Sequence, residues 1–284
     1  MKLVSFVTAS GTAYGVVKNG GVVDLRRRLG ERLPTLRALL SAGALPQAER
    51  VARDAAPDLP LDALQLAPVI PDPDKIICVG MNYRDHVAEV GRTVTEKPAL
   101  FARFAGSQVG HLQPLVKPAV SNEFDYEGEL AVVIGKQGRH IPAGHALEYV
   151  AGYSCYNEGS VRDWQRHTSQ FLAGKTFAGT GAFGPWLVTV DEIPDPSRLT
   201  LETRLNSQLV QHTTTDLMIT SIPEQIAYIS TMLPLLPGDV IVSGTPGGVG
   251  LKRSPQLFMR AGDVAEVEVS GIGVLRNPVI AEAA

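Results

Sequence analysis

The sequence has few cysteines, little net charge and no long apolar run, and each shortage excludes a class of protein. Two cysteines in 284 residues, Cys78 and Cys155, are too few for a disulfide framework. Both lie in apolar, strand-like segments outside any C-x-x-C pair, so we expect buried, reduced thiols in a cytoplasmic protein. A net charge of −3 without long lysine or arginine runs argues against nucleic-acid binding. No apolar stretch reaches the roughly 18 residues of a membrane span, and no signal-peptide pattern follows the first strand.

What remains is the composition of an ordinary globular protein, with 44% apolar and 19% charged residues. A proline-rich stretch at 68–73 predicts a boundary between a small N-terminal domain, 1–70, and a larger domain, 71–284. Turn signals and apolar spacing predict short elements in the first domain. They are strands at 3–8, 13–18 and 21–24, and helices at 33–42 and 48–55.

The segment 121–135 carries acidic residues directly before an apolar strand. Because side chains alternate across a strand, Asp125, Glu127 and Glu129 share one face. Residues 130–134 are apolar on both faces, which predicts a strand buried on both sides. Carboxylates beside a core repel each other and lose hydration, so they need a raised pKa or a cation. Hard ions such as Mg²⁺, Mn²⁺ and Ca²⁺ suit such oxygen ligands, although a solvent-facing strand end fits this stretch equally well.

A candidate base follows the predicted strand at 75–80. His86 and Glu89 lie three residues apart, which makes them neighbours if the segment is helical. A carboxylate beside imidazole orients the ring and raises its basicity, as a general base requires. The plainer interpretation is a surface helix whose His and Glu face water. The polar segment 90–97 is predicted to be a mobile lid.

Three further residues are candidates for the same site. Glu158, at the end of a predicted strand at 152–157, either supplies a third carboxylate or is a surface acid. Lys175 has small and apolar neighbours, which suits a group that meets developing negative charge, although most lysines are simply exposed. Thr245 lies in the glycine-rich segment 244–250, where backbone and hydroxyl could form the floor of a ligand site.

The segment 179–184 matches the dinucleotide pattern G-x-G-x-x-G. That pattern must open a helix after a strand. Here residues 185–190 continue as a strand, so we reject a dinucleotide site. The glycines instead allow a tight chain path.

Together these segments resemble the fumarylacetoacetate hydrolase family from about residue 75 to 278. The motifs that carry the resemblance are V-G-M-N-Y-R-D-H at 79–86, D-Y-E-G-E-L at 125–130, R-D-W-Q at 162–165, G-K-T-F at 174–177, G-P-W at 184–186, and G-D-V with S-G-T-P within 238–246. The resemblance implies an α+β, β-rich fold: a mixed β-sandwich roll with a small N-terminal β/α domain. It also implies a homodimer.

The resemblance further implies an Mg²⁺ or Mn²⁺ ion, with Ca²⁺ as a further option, held by three carboxylates. These correspond to Glu127, Glu129 and Glu158. The family usually has aspartate at the position of Glu158, so Asp125 is a conceivable substitute. Arg103 is a second departure, because relatives often have lysine there.

The family's catalytic and substrate-binding residues also have counterparts in this sequence. His86 and Glu89 correspond to its catalytic dyad, and Gln165 and Lys175 to the residues that stabilise an oxyanion. The implied substrate contacts are Tyr83, Arg84, Arg103, Ser107 and Thr245.

The expected activity is metal-dependent C–C hydrolysis of a β-diketo acid, such as an acylpyruvate or a fumarylpyruvate- or fumarylacetoacetate-like acid, in aromatic catabolism. His86 would take a proton from water, and the electrons of the broken bond would enter a metal-held enolate. The same electron sink serves decarboxylation of oxaloacetate-like acids and keto–enol isomerisation of acids of the 2-hydroxyhepta-2,4-diene-1,7-dioate type. A non-catalytic relative that binds metal or ligand is a further alternative, which Glu158 suggests. In each case the partner is a small molecule.

Overall fold

The computed structural model describes residues 1–283 and is built on β-sheets. The strands are β1 Lys2–Thr8, β2 Gly11–Lys18, β3 Gly21–Asp24, β4 Leu59–Pro60, β5 Ile76–Gly80, β6 Ala99–Arg103, β7 Gln108–Val109, β8 Leu115–Lys117, β9 Phe124–Asp125, β10 Gly128–Ile134, β11 Val150–Glu158, β12 Ser160–Val161, β13 Gly181–Thr189, β14 Thr200–Leu205, β15 Gln208–Thr214, β16 Val240–Val242, β17 Val264–Val269 and β18 Gly273–Ala281. The α-helices are α1 Leu25–Leu29, α2 Leu36–Ser41, α3 Leu45–Asp54, α4 Arg84–Glu89, α5 Arg162–Gln165, α6 Leu172–Lys175 and α7 Ile222–Met232.

One large sheet runs through most of the molecule in the order β4-β3-β2-β1-β13-β11-β10-β16-β5-β6. The three predicted N-terminal strands are confirmed as β1, β2 and β3. They join the rest of the sheet because β1 pairs antiparallel with β13, with Lys2 opposite Val188. The division at residue 70 stays a prediction, since hydrogen bonding continues across both sides of it.

The helices near the N-terminus differ from the predicted ranges because local capping sets their ends. The predicted helix 33–42 is shorter, since the Thr35 side chain accepts from the Ala38 amide and begins α2 at Leu36. The predicted helix 48–55 begins earlier, at Leu45, with proline in its first turn. Helix α1 was not predicted; Asp24 caps it by accepting from the Arg27 amide.

The centre of the sheet places the site. Strand β10 is buried along its whole length, as its apolar faces predicted. It pairs antiparallel with β11, with Gly128 opposite Asn157, and antiparallel with β16 on its other side. Because β16 runs parallel to β5, the start of β10 meets the ends of β5, β11 and β16 at one edge of the sheet.

A second sheet, in the order β15-β14-β17-β18-β8, packs against the first around a shared apolar cluster. The hairpin between β14 and β15 turns at Asn206 and Ser207, both with positive φ (52° and 67°). Strand β17 alternates buried and half-buried residues, with Glu266 and Glu268 on the more exposed face. These sheets and short helices confirm the predicted α+β, β-rich sandwich roll.

Three other expectations from the sequence have structural outcomes. Segment 181–189 is strand β13, so the glycine pattern does not open a helix there. Cys78 and Cys155 are buried and free. Among the helices of residues 1–283, none has both the length and the apolar character to cross a bilayer.

Candidate metal and active site

Three carboxylates converge at the sheet edge where β10 begins and β11 ends. Glu127, Glu129 and Glu158 each offer an oxygen, and these oxygens lie within 4.8 Å of one another. All three side chains are almost completely buried. The antiparallel register explains the convergence, because Glu129 lies opposite Tyr156 and the end of β11 therefore reaches the start of β10. The structure thus brings together the three predicted metal ligands.

Two basic side chains contact this carboxylate cluster. Lys175 Nζ lies 2.6 Å from Glu127 Oε2 and 2.8 Å from Glu158 Oε2. Arg162 Nη1 lies 2.6 Å from Glu127 Oε1. Burial acts to raise the pKa of Glu127, but Lys175 and Arg162 outweigh it and hold that pKa well below its usual range. Glu127 is therefore ionised.

The other two carboxylates are less well compensated. Burial, and then the neighbouring charges of Glu158 and Glu127, raise the pKa of Glu129 well above its usual range. Burial also raises the pKa of Glu158, although Lys175 opposes the change. Glu158 Oε1 is buried and has no hydrogen-bond partner within residues 1–283. An uncompensated buried oxygen beside two further carboxylates fits a hard divalent cation, which binds oxygen ligands and supplies the missing charge.

Asp125 lies outside this cluster, so the idea that it replaces Glu158 is not supported. Its Oδ1 accepts from the Gly250 amide (2.8 Å), and its Oδ2 accepts from Leu251 N (2.9 Å) and Arg162 Nε (2.8 Å). Both oxygens are already engaged. Glu158 reaches the cluster itself, and this removes the observation that suggested a non-catalytic relative.

Arg162 is a site residue that the sequence reasoning missed. It is buried at the start of α5 and binds Asp125 and Glu127, and its Nη1 also donates to Gln165 Oε1 (3.1 Å). Its spacing of three residues from Gln165 on one helix was the available signal. The acidic partners come from distant parts of the chain, so no local pattern revealed them.

The predicted base pair forms on α4. His86 Nδ1 lies 3.3 Å from Glu89 Oε2, and Glu89 Oε1 accepts from the Gly248 amide (3.0 Å). His86 is only 7% exposed, which contradicts the alternative of a surface helix facing water. His86 is also near enough to Glu127 to help lower that group's pKa. The structure thus brings the imidazole to the carboxylate cluster.

The turn that leads into α4 is fixed by Asn82. Its Nδ2 donates to Thr220 O (3.0 Å) and Ser243 O (2.7 Å), and its Oδ1 accepts from Thr220 N (2.8 Å). These bonds hold the start of α4 against the end of β16. That α4 and the following segment act as a lid stays a prediction.

A cavity of about 420 Å³ opens above the cluster. Predicted site residues that line it are His86, Gln165, Lys175, Thr245 and the three glutamates. Thr245 Oγ1 donates to Gly128 O (3.0 Å) and accepts from Gln211 Nε2 (2.9 Å), which fixes its position.

Four predicted substrate contacts lie outside the cavity lining. Tyr83 is buried, and Arg84 is exposed on α4. Arg103 donates to Gly159 O (2.9 Å) and Thr180 Oγ1 (3.0 Å), and Ser107 donates to Phe104 O (2.8 Å). None of these four side chains lines the cavity, and the buried hydroxyl of Tyr83 has no hydrogen-bond partner within residues 1–283. Their contact with substrate stays a prediction.

The cavity also has lining residues that were not predicted. Phe101 and Phe171 form an edge-to-face pair with centroids 5.6 Å apart, and Lys175 Nζ lies 5.2 Å from the centre of the Phe101 ring. Three exposed basic residues also line the cavity: Arg92, Arg166 and Lys252. They lie outside the α-helices and strands and follow no regular spacing, so the sequence carried no clear signal for them.

A buried carboxylate triad with a lysine and a histidine–glutamate pair at one cavity is the construction of a metal-binding enzyme. The family model for the fumarylacetoacetate hydrolase C-terminal region matches residues 75–280. The mitochondrial oxaloacetate tautomerase Fahd2a of Rattus norvegicus is 40% identical over 265 residues, which cover 92% of this chain and 84% of that protein.

Solved structures of related proteins have the same fold as this chain. A putative HpcE protein from Mycobacterium smegmatis superposes with a TM-score of 0.90 at 35% identity, with both chains fully covered. Maleylpyruvate hydrolase from Sphingobium sp. SYK-6, in complex with manganese(II) and pyruvate, superposes with a TM-score of 0.83 at 27% identity, again with both chains fully covered. The chain belongs to the fumarylacetoacetate hydrolase family.

Proposed function

We propose that the protein catalyses keto–enol tautomerisation of a 2-oxo acid of the oxaloacetate kind, with Mg²⁺ or Mn²⁺ held by Glu127, Glu129 and Glu158. The observation that carries the proposal is that His86 lines the same cavity as the carboxylate cluster and Lys175. C–C hydrolysis was the expectation from sequence. The rat relative is named an oxaloacetate tautomerase, which favours the isomerisation alternative.

The three glutamates would hold the ion. A bound divalent cation supplies Lewis acidity, which acidifies hydrogens beside a keto group. The remaining steps fall to side chains of the protein. Glu89 binds His86 at Nδ1, so that nitrogen carries the ring proton and Nε2 is the free base. His86 Nε2 takes the proton from the carbon beside the keto group.

Lys175 supports the charge that this step creates. Burial acts to lower the pKa of Lys175, but Glu127 and Glu158 outweigh it and raise that pKa, so the ammonium keeps its charge. Two of its three N–H groups point to those glutamates, and the third is available to the oxygen where negative charge develops. His86 then delivers its proton to that oxygen. One proton moves from carbon to oxygen and no water is consumed.

C–C hydrolysis is the second candidate. The cavity of about 420 Å³ exceeds the needs of a four-carbon acid, and a similar structure is a maleylpyruvate hydrolase. In that reaction His86 would activate water. Decarboxylation uses the same residues. The homodimer, the cytoplasmic location and the role in aromatic catabolism also stay predictions.

The experiment follows the ultraviolet absorbance of enol-oxaloacetate with and without Mn²⁺, and assays pyruvate release and acylpyruvate cleavage on the same protein. We expect metal-dependent loss of the enol signal faster than either other reaction. Acylpyruvate cleavage as the fastest reaction would replace tautomerisation with hydrolysis.

Two variants separate the roles of the residues. His86→Gln should lower the tautomerisation kcat by about 10²–10⁴-fold and keep the Mn²⁺-dependent rise in Tm. Glu127→Gln should remove both the tautomerisation activity and the Mn²⁺-dependent rise in Tm. His145→Gln is the matched control, because His145 Nδ1 pairs with Glu148 Oε1 at 2.7 Å with the same three-residue spacing, but on the exposed surface outside the cavity. A His86→Gln enzyme as fast as the control would exclude the base.

A further inference from the structure

We infer that Arg92 and Lys252, at the mouth of the cavity, bind the second carboxylate of a dicarboxylic 2-oxo acid substrate and so select it over monocarboxylic acids. The inference rests on the proposed function, because it uses the same cavity. It adds the residues that recognise the far end of the substrate.

The floor of the cavity carries both acidic and basic side chains. Glu127, Glu129 and Glu158 line the floor, and Lys175 and Arg162 contact them. Arg162 also pairs with Asp125, a fourth buried carboxylate that lies outside the lining. With all four carboxylates ionised, a bound divalent cation would make up the difference of two charges between them and the two basic groups. The loaded floor is therefore close to neutral.

The mouth of the cavity carries positive charge that no acidic side chain compensates. Arg166 pairs with Glu123 at 2.7 Å, so its charge is compensated. Arg92 and Lys252 line the same cavity, and neither has an acidic partner within 4.0 Å among residues 1–283. Two uncompensated positive charges above a neutral floor favour an anion between them.

Arg92 and Lys252 lie on two segments that contact each other. Arg92 follows α4, and Lys252 follows the glycine-rich segment that α4 contacts. The Asp85 carboxylate on α4 accepts from the Gly247 amide (3.1 Å), and Glu89 accepts from Gly248. The segments that carry the two cations are therefore joined across the cavity mouth.

The wall of the cavity between floor and mouth is partly apolar. Phe101, Phe171, Val90 and Leu251 give the cavity apolar surface. A short carbon chain suits this surface, with a 2-oxo carboxylate at the floor and a second carboxylate at the exposed arginine and lysine. A neutral, branched acyl group would leave both cations without a partner.

The test compares two acids of equal length, 2-oxoglutarate and 2-oxopentanoate, by calorimetry with Mg²⁺ present. They differ by a terminal carboxylate against a terminal methyl. We expect the wild-type enzyme to bind the dicarboxylic acid about tenfold more tightly or better, because two exposed charge pairs contribute. The preference should shrink as salt is raised, since exposed charges are screened.

Variants then test whether Arg92 and Lys252 cause the preference for the dicarboxylic acid. The double variant Arg92→Met, Lys252→Met should lose the preference and keep its affinity for 2-oxopentanoate within about twofold. Lys252→Arg should retain the preference, and Arg139→Met is the control, because Arg139 is exposed and outside the cavity lining. Equal binding of the two acids by the wild type, or an undiminished preference in the double variant, overturns the inference.

Failure here is distinguishable from failure of the proposed function, because binding is measured separately from oxaloacetate tautomerisation. A wild-type protein that prefers the dicarboxylic acid but does not tautomerise oxaloacetate supports the cavity-mouth assignment and overturns the reaction. One that tautomerises oxaloacetate without preferring the dicarboxylic acid overturns the assignment alone.

Discussion

At the scale of single residues, Lys175 carries the charge balance of the buried cluster. Its ammonium contacts Glu127 and Glu158, while Glu129 accepts the Gly244 amide (2.5 Å) instead. Breaking a buried ion pair by removing one partner is costly, because the remaining charge stays buried without compensation. Lys175 therefore has two functions, in stability and in the proposed chemistry.

We predict that Lys175→Met destabilises the metal-free protein by about 3–5 kcal/mol. Added Mn²⁺ should raise the Tm of the variant more than that of the wild type, because the cation replaces the lost charge. Thermal unfolding in chelator and in Mn²⁺ measures both effects. Lys136→Met, an exposed lysine over the Tyr149 ring, is the control. An unchanged Tm in chelator would show that Lys175 does not compensate the cluster.

Single residues were predictable where motif and spacing coincided. Glu127 and Glu129 alternate on a strand, and His86 and Glu89 are three apart on a helix, so local geometry identified both pairs. The role of Asp125 was not predictable, since its partners lie 37 and more than 120 residues away. Only the fold brings those segments together.

At the scale of elements, the segment 244–251 is held by carboxylates on two sides. Its backbone amides donate to acids on α4 and on the β9–β10 segment. The pairs are Gly244 with Glu129, Gly247 with Asp85, Gly248 with Glu89, and Gly250 and Leu251 with Asp125. This segment therefore couples the position of α4 to that of the β9–β10 segment, which carries two of the clustered carboxylates.

We predict that Gly248→Ala destabilises the protein by about 1–3 kcal/mol and lowers activity, since a side chain there is strained. Gly248 has φ +98°, and an added Cβ would lie 2.3 Å from the Val210 carbonyl oxygen. The shift would also move the amide that Glu89 accepts from. Urea unfolding and kcat measure the two effects. Gly144→Ala, whose Cβ meets open space, should match the wild type within about 0.5 kcal/mol.

Asp58 joins the chain after α3 to β3 and α1. It accepts from Asp24 N (2.9 Å) and Arg28 Nη2 (2.7 Å). Burial acts to raise the pKa of Asp58, but the Asp24 amide and the Arg28 guanidinium outweigh it and hold the pKa below its usual value. Its stabilising contribution is therefore present above the usual aspartate pKa and is lost as pH falls through the lowered value.

Asp58→Asn should accordingly lower the free energy of unfolding at pH 7 by up to about 1 kcal/mol. The difference should close once the pH is below the lowered pKa. Urea unfolding at neutral and acidic pH checks this, with the exposed Asp62→Asn as control. A difference that persists in acid would assign the effect to packing.

Elements were predictable where turns and periodicity were strong. The strands β1 to β3 were predicted from their turns and apolar spacing, and the structure confirms them. Helix ends near Thr35 and Leu45 moved by several residues, because caps and tertiary packing decide them. The five-residue α1 is too short for a periodic signal.

At the scale of the whole molecule, the N-terminal strands and the family-matched region form one sheet. Leu3 and Tyr14 share an apolar cluster with Val133, Phe183 and Val240. Fold class could be predicted from alternating strands and from the resemblance. The pairing of β1 with β13 could not, because their residues are more than 180 positions apart and many strand pairings satisfy the same pattern.

We predict that a chain lacking residues 1–70 aggregates or binds a hydrophobic dye, because the edge of β13 and an apolar face become exposed. Size-exclusion chromatography and dye fluorescence test this. A soluble, folded and active 71–284 fragment would instead establish an independent domain.

The amides of segment 244–251 have a consequence for engineering. Since that segment is tied to both α4 and the carboxylate strand, a library of variants there would disturb α4, the predicted base His86 and the carboxylate cluster at once. Positions 92 and 252 carry exposed side chains free of such ties. Redesign of substrate choice should therefore begin at those two positions, where new recognition can be screened at little expense to folding.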